Sequence, residues 1–221
     1  MDTVEDWGRL VTIENIFTDY FNNNTWQGKE SISGPGSDYE QTKYLIPELQ
    51  NLIGKLGVKK IFDAPCGDFN WMKNIDMQGL SYTGADIVKP LIIKNNKRYK
   101  AKNISFVHFN LIKDNIPKSD LVIIRDCLVH LPNENIFDII HNVKSSGSKY
   151  LLTTHFTWEK HKNNYDIKPG QWRRINLTQT PFYFPFPEYI IIEGNLQSYD
   201  HDKTMSLWKV SDLPDYGVVN G

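Results

Sequence analysis

The sequence predicts an α/β fold built on a mostly parallel sheet, and three observations predict it. The stretch Val58–Trp71 reads as a buried strand, a tight turn with a glycine and the start of a helix. Ile61 and Phe62 fit the centre of that strand. Asp63 and Pro65 end it, because a carboxylate resists burial and proline cannot donate to a ladder. A second short strand, Leu80–Ile87, also ends in a carboxylate, Asp86, which lies 23 residues beyond Asp63. A helix and two turns fit that interval, so the second acid comes to lie beside the first turn. Beyond it, apolar runs over 104–109, 120–124 and 150–154 alternate with helical spacing over 90–99 and 133–144.

Composition narrows the class of protein. A chain of 221 residues suits one domain with a full-sized core. Aromatic residues make up 13% of it, which argues against disorder over most of the length. Net charge is −1 and the pI about 6.6, so no broad basic field exists to hold a nucleic acid backbone or an anionic membrane. Cys66 and Cys127 do not form a metal-ligand spacing and read as reduced thiols near strand ends; no metal site is expected. Met1 to Leu10 is acidic and polar, unlike a signal peptide, and no apolar run approaches the ~20 residues that span a bilayer. The expectation is a cytoplasmic enzyme, a monomer or homodimer.

Taken in order, residues up to 22 are helical in part, with Ile13, Ile16, Phe17, Tyr20 and Phe21 on one face. Residues 25–37 are rich in glycine, serine and proline. They are either a surface connection or a lid, with Trp26 as its apolar plug and Gly34 and Gly36 as its bends. Asp38–Leu56 is helical. Ser37 or Asp38 caps it, Gly57 closes it, and Pro47 requires a kink or two short helices. Asn70–Ile75 is expected as a short helix capped by Asp68 or Asn70, its free N–H groups facing a ligand that Gly67 admits close to the backbone. Trp71 lines either the substrate side or the core. Pro90 suits a first helical turn, and Lys94, Lys97 and Arg98 form a solvated face.

The strand at 104–109 leads into Asn110-Leu111. The strand at 120–124 leads into Arg125-Asp126-Cys127-Leu128-Val129-His130-Leu131-Pro132. Residues 145–148 turn the chain, and His155-Phe156-Thr157-Trp158 follows the fifth strand. Composition then shifts over about 159–187, where Pro181, Pro185 and Pro187 exclude a helix near the end. This long insertion is the expected acceptor pocket, with aromatic walls. Arg173 and Arg174 either grip a phosphate or carboxylate there or pair with nearby acids. Tyr189–Ile192 and 204–210 are the last strands, and 211–221 is a polar tail.

The pair Asp63…Asp86 with Cys66-Gly67 between them resembles the class I S-adenosylmethionine-dependent methyltransferases. Their first motif usually reads acid-x-Gly-x-Gly-x-Gly; here only the middle glycine, Gly67, is kept. The resemblance spans roughly residues 59 to 209. It implies a Rossmann-like, seven-stranded, mostly parallel sheet with helices on both faces and an antiparallel C-terminal hairpin. Residues 1–56 would form an N-terminal cap and lid, and 57–210 the core. It also implies S-adenosyl-L-methionine as cofactor. Asp63 would help hold the methionine amine, with Pro65, Cys66, Gly67 and Arg125 around the methionine moiety. Asp86 and Ile87 would meet the ribose, and Asn110 and Leu111 the adenine; Asn110 as a plain turn residue is the competing reading. Residues just past the fourth and fifth strands would face the acceptor. That makes Asp126, His130 and His155 the candidate bases, against a salt bridge for Asp126 and a packing role for His130.

Trp71, Arg173 and Arg174 are the substrate-side candidates. The two arginines favour a small anionic acceptor, phosphorylated or nucleotide-linked, most simply O-methylated. The aromatic-proline segment resembles methyltransferases of bacterial surface-glycan pathways. Three other functions share the strand–turn–helix. A nicotinamide-dependent oxidoreductase would want Gly-x-Gly-x-x-Gly for its pyrophosphate, and the turn here carries a carboxylate instead. A nucleic-acid methyltransferase is disfavoured by the neutral pI. A non-catalytic cofactor-binding subunit is disfavoured by the presence of both acids.

Overall fold

The computed structural model describes residues 12–157, 164–193 and 201–217. Expectations that fall on 1–11, Trp158, His161, Asn163, 194–200 and the end of the tail lie outside the described residues.

Seven strands form one sheet: β1 (Lys60–Asp63), β2 (Ser81–Asp86), β3 (Ile104–His108), β4 (Leu121–Ile124), β5 (Tyr150–Phe156), β6 (Tyr189–Ile192) and β7 (Lys203–Lys209). Their order is β3-β2-β1-β4-β5-β7-β6. The first five run parallel, and β7 pairs antiparallel with both β5 and β6. The chain reverses its stacking direction between β1 and β4, which opens a crevice at their carboxyl ends.

Alternation along the strands explains the two-faced core. Leu121 and Ile123 of β4 pack on one face with Ile61, Leu152 and Leu207; Val122 and Ile124 pack on the other with Phe62, Leu151 and Trp208. The first face is covered by α3 (Leu45–Leu56) through Leu45, Leu49, Leu52 and Ile53, and by Ile92 of α4 (Lys89–Tyr99). The second is covered by α5 (Asn133–Ser145) through Ile136, Ile139, Ile140 and Val143. The helical segment containing Pro47 does divide, into α2 (Tyr39–Thr42) and α3, and Gly57 ends α3 in the left-handed conformation at φ 64°. The N-terminal helix α1 (Ile13–Asn22) is capped by the Thr12 hydroxyl, which accepts the Asn15 N–H at 3.2 Å. Phe21 packs beside Val88 and Leu91 at the start of α4.

Two segments depart from expectation. The helix expected over 70–75 is a single 3₁₀ turn, Met72–Asn74. Phe69 just before it is left-handed at φ 62°, and the Asn74 side-chain amide takes the carbonyls of Asn70 and Trp71 that a helix would use. The described part of the insertion, 164–187, is irregular and much of it is packed core, with Trp172 on the cavity wall. Ile175, Leu177, Phe182 and Phe184 are buried beside α5 and Trp208, while Tyr165, Tyr183 and Phe186 face solvent.

Candidate functional site

A cavity of about 410 Å³ lies at the carboxyl ends of β1, β2 and β4. Its floor is Ala64–Gly67 after β1, Asp86–Val88 after β2, Phe109–Ile112 after β3 and Arg125–Cys127 after β4. Its roof comes from Ile13, Phe17 and Phe21 of α1, from Trp26 and from residues 32–37. The lid reading of that loop therefore fits its position. Trp26 stacks on Phe17, meets Tyr20 edge-on and lies 5.8 Å from the His130 ring.

Asp86 is the best-oriented acid. It is nearly buried, and its two carboxylate oxygens accept the N–H of Gly67 at 3.1 Å and of Val88 at 2.9 Å. Burial pushes its pKa up to about 6, with those backbone donors pulling the other way. Each oxygen keeps a second lone pair for a ligand donor. Ile87, Pro65, Cys66, Gly67, Asn110 and Leu111 all line the same cavity, as expected. The Asn110 side-chain oxygen also accepts the Ile112 N–H at 2.9 Å, so the turn role is real as well. Both cysteines are free thiols on the cavity wall; burial pushes Cys66 well up and Cys127 to about 12.

Asp63 corrects the first expectation. It is 1% exposed, lies outside the cavity lining and accepts the Tyr82 hydroxyl at 2.5 Å. The parity of β1 explains this: Ile61 and Asp63 point to the α3 face, while Phe62 and Ala64 point to the other.

Beyond β4 the cavity meets a compact ionic group. Arg125 donates from Nε and Nη2 to the two Glu193 oxygens at 2.7 and 3.0 Å, and from Nη2 to the Gly36 carbonyl at 2.7 Å. Lys203 donates to Asp126 at 2.7 Å and lies 3.1 Å from Glu193. Arg125 reaches Asp126 at 3.4 Å and covers the Trp71 ring at 5.3 Å. Burial pushes the Asp126 carboxyl up, but the ammonium of Lys203 and then the guanidinium of Arg125 outweigh it and hold the group well below the carboxylate range. Asp126 lines the cavity, but as a salt-bridge partner it is a weak base. Lys203 and Glu193 carried no motif in the sequence; only the antiparallel return of β7 brings them here.

The two histidines separate. His130 lines the cavity, and its Nδ1 is 3.0 Å from the Gln171 carbonyl, so Nδ1 carries the proton and Nε2 is left as an acceptor. Burial lowers its pKa. His155 does not line the cavity. It is 3% exposed, its Nδ1 accepts the Leu177 N–H at 3.1 Å, and its ring meets Trp208 edge-on. Burial pushes its pKa down to about 4. The expectation that it serves as a base is corrected.

The arginine pair is corrected too. Arg173 is fully buried and donates to the Leu131 carbonyl at 2.7 Å and to Asn133 Oδ1 at 2.8 Å. Arg174 lies over Phe156 with its Nε 3.9 Å from Asp202. Neither lines the cavity; Trp172, just before them in the chain, does. Trp71 lines the cavity while also packing into the core at 5% exposure.

No protein-family profile matches this chain, and no curated protein matches it. Solved structures do. A magnesium protoporphyrin IX methyltransferase from Synechocystis PCC 6803 with bound S-adenosylmethionine superposes with a TM-score of 0.63 at 14% identity, over 91% of this chain and 99% of that one. A 1,6-didemethyltoxoflavin-N1-methyltransferase from Burkholderia thailandensis, with bound 1,6-didemethyltoxoflavin and S-adenosylhomocysteine, gives 0.61 at 12% identity over 94% and 97%. The N-methyltransferase NodS from Bradyrhizobium japonicum WM9 gives 0.53 at 14% identity over 74% and 94%. The fold is that of these methyltransferases: a seven-stranded, mostly parallel sheet with an antiparallel C-terminal pair.

Proposed function

We propose that this chain is an S-adenosyl-L-methionine-dependent methyltransferase acting on a small-molecule acceptor. One observation carries the reading. Asp86, at the end of β2, is held by two backbone N–H groups at the rim of the cavity, with lone pairs to spare for a pair of vicinal hydroxyls. Fold likeness to methyltransferases supports it.

The residues present fit the cofactor. Asp86 would take the ribose hydroxyls and Asn110 with Leu111 the adenine, while Ala64–Gly67 would border the methionine moiety and the mostly apolar cavity would exclude water. When bound, the cofactor supplies an electrophilic methyl group on a positive sulfonium. His130 is the base this site offers. Its Nε2 would accept the proton that an acceptor hydroxyl or amine loses, while the Gln171 carbonyl holds the ring in the required tautomer. The polar partners of Asp126 and Lys203 keep that side of the cavity electrically balanced.

The acceptor side is aromatic, with Phe17 and Trp26 beside His130 and Trp172 on the same cavity. With Arg173 and Arg174 turned into the interior, and both Arg125 and Lys203 paired with carboxylates, support for an anionic acceptor is withdrawn. O-methylation and a surface-glycan pathway rest on the sequence resemblance alone.

Calorimetry with S-adenosylhomocysteine tests the cofactor. Asp86→Ala should weaken binding about 100-fold, the worth of two hydrogen bonds to a charged group; undiminished affinity would show the ribose assignment to be wrong. Incubation with labelled S-adenosylmethionine and cell extracts, followed by mass detection, would identify the acceptor.

A further inference from the structure

Gly67 was read as the place where a ligand approaches the backbone, but in the structure a different segment approaches it. A Cβ on Gly67 would stand 2.4 Å from the hydroxyl of Ser33. Around this contact the strap Ser31–Ser37 is tied to the turn after β1. Asp68 accepts the Ser31 hydroxyl at 2.8 Å and the Ile32 N–H at 3.0 Å. The Asp68 N–H donates to the Ser33 hydroxyl at 3.0 Å, and the Asn70 side chain donates to the Ser37 carbonyl at 3.0 Å. At its far end, Gly36 is held by Arg125. Ile32 and Ser33 of the strap line the same cavity as Asp86.

From this geometry we infer that Asp68 is a positioning residue for the nucleoside site, fastening the strap so that Ser33 bears on the methionine end of the bound nucleoside. This inference rests on the cofactor reading above. The physical reason is that Asp68 spends both carboxylate oxygens and its own N–H on three consecutive strap residues, while facing no cation in the bonds it makes. The strap makes no backbone ladder with the sheet, so at Ser31, Ile32 and Ser33 these bonds fasten it, with Asn70 and Arg125 holding Ser37 and Gly36 at the far end. Closing the strap requires that the turn have no Cβ, and Gly67, which is also left-handed at φ 53°, meets that requirement. A fastened strap slows escape of the nucleoside more than it speeds entry.

The test is stopped-flow tryptophan fluorescence of S-adenosylhomocysteine binding to the full chain and to Asp68→Ala, Asp68→Asn and Ser33→Ala. Dissociation should speed up about tenfold in Asp68→Ala, because only part of the loss of two strap bonds is felt at the nucleoside, and less in Asp68→Asn, which keeps an acceptor for the Ser31 hydroxyl. Association should stay within about twofold. Thermal melts without ligand show whether a variant is merely unfolded; Ser33→Ala, which loses a single hydroxyl, guards against that outcome in Asp68→Ala. Dissociation unchanged in both Asp68→Ala and Ser33→Ala overturns the proposal. Hydrogen exchange on the ligand-free protein separates it from the cofactor reading. If the parent chain fails to bind S-adenosylhomocysteine, that reading falls and the nucleoside role of Asp68 falls with it. Slow exchange of the Ile32 amide in the parent that becomes fast in Asp68→Ala would still show the fastening, and equal exchange in the two would remove it.

Discussion

Two histidines lie near the carboxyl ends of neighbouring strands, His130 in the turn after β4 and His155 inside β5, and their chemistry differs because Nδ1 donates in the first and accepts in the second. His130 donates from Nδ1 to the Gln171 carbonyl and keeps an acceptor at Nε2 on the cavity wall. His155 receives the Leu177 N–H at Nδ1 among buried neighbours and has its pKa pushed to about 4. Replacing His130 with Asn should lower kcat by about 10²–10⁴, the usual worth of a positioned base, with nucleoside affinity retained. Replacing His155 with Ala should leave kcat near the parent value and cost about 1–3 kcal/mol of stability, because a buried N–H loses its acceptor. Single-turnover rates and urea unfolding on the two variants check both statements. A kcat loss in His155→Ala without a loss of stability would reverse the assignment. The sequence placed both histidines on the ligand edge. It could not separate them, because hydrogen-bond partners at 171 and 177 come from a segment with no regular periodicity.

At the scale of elements, the least legible piece is the run from 164 to 188. Prolines and aromatics correctly excluded a helix, and the same residues suggested an open binding wall. The structure uses them otherwise: Phe182 and Phe184 go inward beside α5, while Phe186 and the left-handed Tyr183 at φ 51° go outward. Arg173 belongs to that inner surface. Its guanidinium closes the start of α5 by serving the Leu131 carbonyl and Asn133, and burial lowers its pKa despite the nearby Asp166. A buried arginine is rare enough that exposure is the default guess from sequence, and that default is what failed here. Arg173→Ala should therefore act as a folding mutation. Stability should fall by roughly 3 kcal/mol as the two acceptors and the vacated space are left uncompensated, while S-adenosylhomocysteine affinity stays within about twofold of the parent. Unchanged unfolding midpoints together with weakened ligand binding would restore the arginine to the site.

For the whole molecule, the run of parallel strands and the place of Asp86 beside the first turn were legible from apolar runs ending in acids at a βαβ interval, while the seven-stranded count and the antiparallel pair came with the family resemblance. Which of the two acids faces the crevice was not legible, since β1 is four residues long and a single residue of parity decides it. That parity has a consequence for pH. Asp63 is enclosed on the α3 face, where burial pushes its carboxyl up to about 7 even though the Tyr82 hydroxyl and Arg125 pull it down. Asp86, also raised by burial, titrates at about 6. In the unfolded chain both would titrate near 4. Between about pH 4 and pH 7 the folded state thus binds more protons than the unfolded one, and these groups make stability fall as pH rises through that window. Asp63→Asn keeps an acceptor for Tyr82 and removes the buried charge. Its unfolding free energy should be less dependent on pH from about 5 to 8 than the parent's, and it should exceed the parent's by a few kcal/mol at the alkaline end. Urea midpoints across that range decide the matter: parallel curves for parent and variant would mean that Asp63 titrates as an ordinary carboxylate and is not enclosed as described.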